Sequence, residues 1–409
     1  MRFVAHYSEV ALKGNNRPEF VRALRRGIHK ALAGVPHSVA YTEGRFIVDT
    51  EGDENVIVDR LSRVFGLSWF APIRVVPAEY TKICDSVIES SVAAQGHSFK
   101  IAVRRSDKGY PMGSQELAAK LGAEVVKATG KSVDLTDPEL TVHVDIVKGG
   151  AFVYSARFRG PGGLPLGTAG RVMHLFSGGI DSPVAAWLLM KRGTHPVYLH
   201  FYLAPTPQGA VQSKIIRLVK ILSAYEGKST IVLVPFAEYQ LATGDAPGDL
   251  EPSLFRRFMR MTAEVLAPRF SAKAVSTGDS LSQAASQTLW NIASFDEGST
   301  LPVLRPLLTY DKDEIITLAR RIGTYDSSLE AYKDCCAMIT RHPRTRVKGE
   351  EVTEYVRRFG LARLVGKSIE KASLVTYNPA GDTLKVSRLP EAMPSHVEEE
   401  DRIQSNLAS

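Results

Sequence analysis

From Val172 onward the sequence keeps switching between two periods. Short apolar runs (VMHLF, PVYLHF, TIVLVPF, AVSTG, PVLRPL) alternate with stretches of helical spacing. Strands that are each followed by a helix close as βαβ crossovers, which predicts a parallel sheet covered by helices on both faces. GPGGLPLGTAG, between Arg159 and Arg171, has neither period and reads as the linker into this domain. Ligands of such sheets sit at the carboxyl ends of the strands, so the residues just after each apolar run are the place to look for chemistry.

Directly after VMHLF comes SGGIDS, and then the helical stretch PVAAWLLMKRG with Pro183 in its first turn. Gly178 and Gly179 let the backbone turn tightly, and amide N–H groups together with the positive end of the new helix suit an anion. A bare Gly-Gly turn is the bland alternative, but strand, Ser-Gly-Gly-x-Asp-Ser and helix in register favour a phosphate. The pattern is not G-x-x-x-x-G-K-[ST], and the lysine that reaches the β- and γ-phosphates in P-loop NTPases is missing.

The chain of 409 residues has room for two to four domains. Hydrophobic residues at 44% and charged residues at 23% are ordinary for a globular protein, and nothing approaches the roughly 18 apolar residues of a membrane span. MRFVAHYSEVALKG lacks an apolar h-region and reads as the first strand of a cytoplasmic protein. Cys84, Cys335 and Cys336 cannot build a disulfide framework or a four-thiolate zinc site, so any functional cysteine acts as a reactive thiol. The net charge of +7 arises although Glu391, Glu398, Glu399, Glu400 and Asp401 face only Arg402 near the end, and a basic body suits a polyanion such as nucleic acid.

Before the linker, NNRPEFVRALRRGIHKALAG from Asn15 spaces Phe20, Leu24, Ile28 and Leu32 four apart, a helix with one buried stripe. Its other face carries Arg22, Arg25, Arg26 and Lys30. With the strand RFIVDT and a helix from Asn55 to Phe65 it forms a small α+β unit. A second unit follows: a helix near Ile83 to Gln95, the strand SFKIAVRR, a helix from Ser114 and the strand ELTVHVDIV. Alternation in SFKIAVRR buries Phe99, Ile101 and Val103 and turns Lys100 and Arg104 to the other face beside Arg105, with Lys108 just beyond, a basic patch or an ordinary solvated face.

The phosphate loop resembles that of the ATP-pyrophosphatase (PP-loop) superfamily, which cleaves ATP between its α and β phosphates. NIASFDEG with TGDSLSQAASQTLW before it, LPVLRPLLTYDKDEIITLARRIGTYDSS, DCCAMITRHPRT, EVALKGNNRPEF and FKIAVRRSDKGYPMGS are together similar to the tRNA 4-thiouridine synthetase (tRNA sulfurtransferase) family, up to about Lys348. The resemblance implies a multidomain α/β chain. Residues 1–72 would form an N-terminal ferredoxin-like domain and 73–165 a THUMP RNA-binding domain. Residues 171–385 would be the doubly wound catalytic domain and 386–409 an acidic tail.

It further implies that ATP meets Leu175, Phe176, His200, Phe201, Arg257, Gly278 and Gln287 along with the loop residues Ser177, Gly178, Gly179, Asp181 and Ser182. Asp181 would also hold Mg²⁺. His200 on its own is more often structural, and Ser282 stands where many relatives carry glycine. Lys100, Arg104, Arg105 and Lys108 would meet tRNA, whose acceptor end the THUMP domain grips. A homodimer is left open.

Uridine O4 is a poor leaving group, and adenylation makes it a good one. A persulfide then attacks C4. By resemblance the sulfur carrier is the cysteine after one variable position in D-x-C, namely Cys336, with Cys335 in the variable site, and Arg341, His342, Arg344 and Arg346 would favour the thiolate. Cys84 sits singly in an apolar helical pattern and reads as core. Some relatives append a rhodanese domain, where part of their second role, sulfur supply for the thiazole of thiamine, resides; others carry C-x-x-C. This chain is expected to have neither and to take sulfur directly from a cysteine desulfurase. Two other readings stand beside this one: a different adenylating tRNA-modifying enzyme, such as an anticodon uridine thiolase or lysidine-type ligase, and an RNA-binding module that only senses ATP.

Overall fold

A computed structural model describes residues 1–204, 206–211, 213–332, 335 and 343–390. They fall into two compact units that divide at Gly163 and Leu164.

The first unit opens with β1 (Arg2–Tyr7), α1 (Arg17–Ala31), β2 (His37–Thr42), β3 (Arg45–Thr50), α2 (Glu54–Leu61) and β4 (Leu67–Pro72). It continues with β5 (Arg74–Val76), α3 (Tyr80–Ala93), β6 (Ser98–Arg105), α4 (Ser114–Thr129), β7 (Ser132–Val133), β8 (Leu140–Val147), β9 (Gly150–Tyr154) and β10 (Phe158–Arg159). Two five-stranded sheets result, ordered β10-β4-β1-β3-β2 and β5-β9-β8-β6-β7. The stripe expected on the first helix is inward at Leu24, Ile28 and Leu32, which pack on Phe3, Phe46 and Phe70. Phe99 and Ile101 of β6 pack against Leu117, Leu121 and Val125 of α4, so burial on both elements follows the spacing of their apolar residues.

One strand departs from the sequence reading. Phe158 and Arg159, expected within the stretch 73–165, pair with Phe70 and Trp69 of β4, so the chain returns to its first sheet after finishing the second.

The second unit is built on a seven-stranded sheet ordered β15-β14-β11-β12-β13-β16-β17. Its strands are β11 (Arg171–Leu175), β12 (His195–Tyr202), β13 (Ser229–Pro235), β14 (Ala272–Ser276), β15 (Val303–Leu304), β16 (Ser373–Asn378) and β17 (Thr383–Arg388). The first five are parallel, as the alternating periods predict. The last two form an antiparallel hairpin on the β13 edge, and it runs past residue 385. The helices are α5 (Asp181–Lys191), α6 (Pro207–Val211), α7 (Lys214–Glu226), α8 (Ala237–Ala242), α9 (Glu251–Leu266), α10 (Leu289–Asp296), α11 (Lys312–Ile322), α12 (Tyr325–Leu329), α13 (Gly349–Arg358) and α14 (Leu361–Glu370). α5 is apolar on most sides and buries Val184, Ala185, Ala186, Trp187, Leu189 and Met190, which fixes the loop at its N-terminus to the centre of the domain. β11 has β12 on one side and β14 on the other, so the loop after it lies at the point where strand order reverses, where such sheets bind ligands.

Candidate active site

The loop SGGIDS is closed by its own serines. Ser177 N–H donates to Ser182 Oγ at 3.0 Å, and the Ser182 hydroxyl donates to Ser177 O at 2.9 Å. Beneath it lies His174, fully buried, with Nε2 2.9 Å from Ser182 O and Nδ1 2.7 Å from Ser276 Oγ. A carbonyl can only accept, so Nε2 carries the proton and Nδ1 accepts from Ser276. The first turn of α5 is thus tied to β11 and β14 through one neutral imidazole.

Burial lowers the His174 pKa to about 4 from an ordinary 6.5. The unfolded chain takes up a proton below about 6.5 and the folded one resists until about 4, so stability is present above the higher value and lost as pH falls to the lower. Over that window the loss attributable to His174 is roughly 3 kcal/mol. His6 in the other unit is also lowered to about 4, first by burial and then by Arg45, Arg104 and Arg157, so it adds to the same trend. Denaturant titrations at a series of pH values are expected to show the decline, and His174→Gln, which does not titrate, to flatten its share.

Two glycines are required by close approach. A Cβ on Gly278 would lie 2.9 Å from Ser182 N and 3.0 Å from Asp181 C, because the exit of β14 presses on the first turn of α5. On Gly178 it would lie 2.6 Å from Lys214 Cε and 3.3 Å from Tyr332 Cδ1. Ser282 has φ of 63°, in the left-handed region that glycine adopts most easily. The same loop is closed by Ser282 N–H donating to Gln287 O at 3.0 Å, and Gln287 is half-buried.

Asp181 is held by side chains from far along the chain. Lys312 Nζ donates to Oδ1 at 2.7 Å and Gln283 Nε2 to Oδ2 at 3.0 Å. Lys312 opens α11, whose start is fixed by reciprocal bonds: Glu314 N–H donates to Asp311 Oδ1 at 2.8 Å and Asp311 N–H to Glu314 Oε2 at 3.0 Å. Among the described residues no three His, Cys, Asp or Glu side chains gather as a metal cage. Magnesium commonly takes one or two protein carboxylates and completes its shell with phosphate oxygens and water, a use that Asp181 fits.

At the end of β12, His200 is buried, with Nδ1 2.9 Å from Phe176 O and Nε2 2.8 Å from the Tyr332 hydroxyl. The Phe201 ring joins the core formed by Phe255 and Phe258, while its carbonyl accepts from Cys335 Sγ at 3.2 Å. Lys214 Nζ donates to Ser328 O and Glu330 O, both at 2.8 Å. The segment leading to the cysteine pair is therefore anchored beside the phosphate loop at Lys214, His200 and Phe201. Cys335 is buried, and Cys336, Arg341 and His342 lie outside the described residues.

Two of the expected site residues are engaged with other side chains and carbonyls of the protein. Arg257 is buried, donates to Ser294 O and pairs with Glu297 at 3.5 Å, so its guanidinium is engaged with α10 and the turn after it. The neighbouring Arg256 instead grips Asp279 at 2.7 and 2.9 Å, where Arg305 and Thr277 also converge. Burial pushes the Asp279 carboxyl up, and Arg256, Thr277 and Arg305 together more than offset this, leaving it below its ordinary range. Arg344, expected to favour a thiolate, is paired with both Asp249 and Glu351.

In the first unit the basic patch divides. Arg104 and Lys108 are exposed. Arg105 donates to Tyr110 O at 3.0 Å and Met112 O at 2.8 Å and braces the following loop, and Lys100 Nζ donates to Leu135 O at 3.0 Å. Alternation separates Arg104 from Arg105, since adjacent strand residues point to opposite faces, whereas Lys100 shares the face of Arg104 and is set apart by its bond to Leu135 O.

Three family profiles match the chain: the ThiI ferredoxin-like domain over residues 2–71, the THUMP domain over 79–156, and "Thiamine biosynthesis protein (ThiI)" over 167–361, which extends past Lys348. The chain is 38% identical over 385 residues to the probable tRNA sulfurtransferase of Moorella thermoacetica, covering 93% of this chain and 99% of that protein. It is 37% identical over 375 residues to the probable tRNA sulfurtransferase of Geobacillus sp. strain WCH70, covering 90% and 94%. A solved structure described as a 4-thiouridine synthetase–RNA complex with bound ATP aligns with a TM-score of 0.82 at 32% identity, over 92% of this chain and 99% of that one.

Proposed function

Because this chain belongs to the tRNA sulfurtransferase family, we propose that it is an ATP-dependent enzyme that replaces O4 of a tRNA uridine with sulfur, giving 4-thiouridine at position 8. The observation that carries this reading is one juxtaposition. The phosphate loop with Asp181 and Lys312 stands at the end of β11, and the segment leading to the cysteine pair is anchored to the neighbouring β12.

ATP, when bound, supplies the adenylyl group that turns O4 into a leaving group. The loop 177–182 and the N-terminus of α5 hold the departing pyrophosphate, and Lys312 offsets its charge. Asp181 is the residue to hold Mg²⁺. Cys336 receives a sulfane sulfur from a cysteine desulfurase, and that sulfur attacks C4 as AMP leaves. A thiol reductant then cleaves the remaining S–S bond, releasing the thiolated base and the Cys336 thiol. Catalysis belongs to the cytoplasm, where uncharged and charged tRNA circulate, and among the described residues no helix is long and apolar enough to cross a membrane.

Incubating unmodified tRNA with the protein, ATP, cysteine and a desulfurase, then digesting to nucleosides for mass spectrometry, is expected to yield 4-thiouridine. A thiolated anticodon base, lysidine, or no product would overturn the assignment. Arg104 is expected to meet an RNA phosphate. Arg104→Ala then weakens all substrate tRNAs alike and lowers the slope of log affinity against log salt by about one, while ATP binding is unchanged. A salt series by filter binding measures both, and identical slopes would remove Arg104 from the interface.

A further inference from the structure

α10 turns Asn291, Ile292, Ser294 and Phe295 inward. Leu289 and Trp290 face water at 67% and 57% exposure, and Leu281, at the other end of the loop entering the helix, is 39% exposed. Large apolar groups left in water beside a reaction centre call for a partner, and tryptophan is the one whose flat face matters most.

The position of this indole is fixed from two sides. On one side the loop that enters α10 reaches the phosphate loop, because Gln283 donates to Asp181 at 3.0 Å. On the other side the first turn is tied to the stretch after the cysteine pair. Thr288 Oγ1 donates to Thr345 O at 2.6 Å, Asn291 Nδ2 to Arg344 O at 2.8 Å, and Val347 N–H to Asn291 Oδ1 at 3.0 Å. Arg346, within that stretch, is exposed. Trp290 is thus presented by the element that links the adenylation loop to the sulfur-carrier segment, with a cation close by in the chain.

A uridine whose O4 must be adenylated and whose C4 must meet a sulfane sulfur has to leave its stack, and the base that it leaves behind loses a stacking partner. Proteins commonly supply an aromatic face in such places, with arginine against the adjoining phosphate. We propose that Trp290 is the stacking platform for an RNA base next to the reacting uridine, that Leu289 and Leu281 close around that base, and that Arg346 meets its phosphate. The proposal rests on the reading of the site as a tRNA thiolase. A protein docked on the same apolar residues is the competing occupant, and the polar loop around them, SQAASQ, together with Arg346, favours RNA.

Trp290→Ala, Trp290→Leu and Trp290→Phe separate the occupants. With a stacked base, Ala and Leu both lower kcat/KM for tRNA by about 10-fold or more while KM for ATP stays unchanged, and Phe restores most of the loss. Unmodified tRNA is also expected to quench indole emission in the parent protein, and to quench it much less in Trp290→Phe. This second measurement needs no turnover, so it tests the platform even if the product proved to be a different modified base. The proposal is overturned if Leu performs as well as the parent, if quenching is the same in Trp290→Phe, or if the Ala variant binds tRNA normally and loses only sulfur uptake from the desulfurase.

Discussion

Asp181→Ala loses thiolation and tRNA-dependent pyrophosphate release together, by about a thousandfold or more, and binds tRNA much as the parent does. Both Asp181 oxygens are in use, one by Lys312 and one by Gln283. Deleting the carboxylate therefore removes the negative charge proposed to hold Mg²⁺ and also frees the ammonium of Lys312 beside the phosphate loop. The ion pair is partly exposed, at 42% for Lys312 and 22% for Asp181. Such pairs contribute at most about 1 kcal/mol, so the thermal midpoint should hardly move and the loss cannot be ascribed to unfolding. Asp181→Asn divides the two roles, since an amide oxygen can still accept from Gln283 but carries no charge. If the Asn variant is as inactive as Ala, charge is the role that matters. Pyrophosphate release and nucleoside analysis measure the effect, and ordinary turnover by Asp181→Ala would sink the assignment of the loop.

Cys336→Ser is expected to abolish transfer of labelled sulfur from the desulfurase to tRNA while AMP and pyrophosphate still form, because an alcohol cannot carry a sulfane sulfur. Cys335→Ser should be mild. Its thiol is 1% exposed and donates to Phe201 O at 3.2 Å, a bond that a serine hydroxyl can also make. A dead Cys335 variant beside an active Cys336 variant would reverse the two roles.

The parts of the site that were legible in the sequence are those encoded locally. SGGIDS announces itself because strand, glycines and helix start lie within a dozen residues, and the parallel strands announce themselves because both their faces are buried. What could not be read are pairings between distant segments. Nothing near Asp181 points to Lys312, and nothing in LFRRFMR says which of two adjacent arginines will reach Asp279. That choice depends on how α9 is rotated, and Leu254, Phe255 and Phe258 set the rotation by turning inward. Arg104 and Arg105 raise the same difficulty on a strand, where a change of one position exchanges solvent for a loop to brace. The β16–β17 hairpin escaped because its outer strand is largely exposed and carries little apolar signal, with only Leu384 and Ser387 even half-buried.

The return of the chain to β4 has a consequence for synthesis. β4 is paired on one side with β1, and on its other side it meets the stretch that carries β10, where Gly160 N–H donates to Ser68 O at 3.0 Å and Gly162 N–H to Leu67 O at 2.8 Å. Residues 73–157 must leave the ribosome before that cover exists, a delay of roughly 4 to 17 seconds at ordinary elongation rates. For that time the nascent protein carries an open strand edge bearing Trp69 and Phe70, an invitation to pair with a neighbouring copy on the same message. A shortened gene that stops at residue 72 would make the open edge permanent.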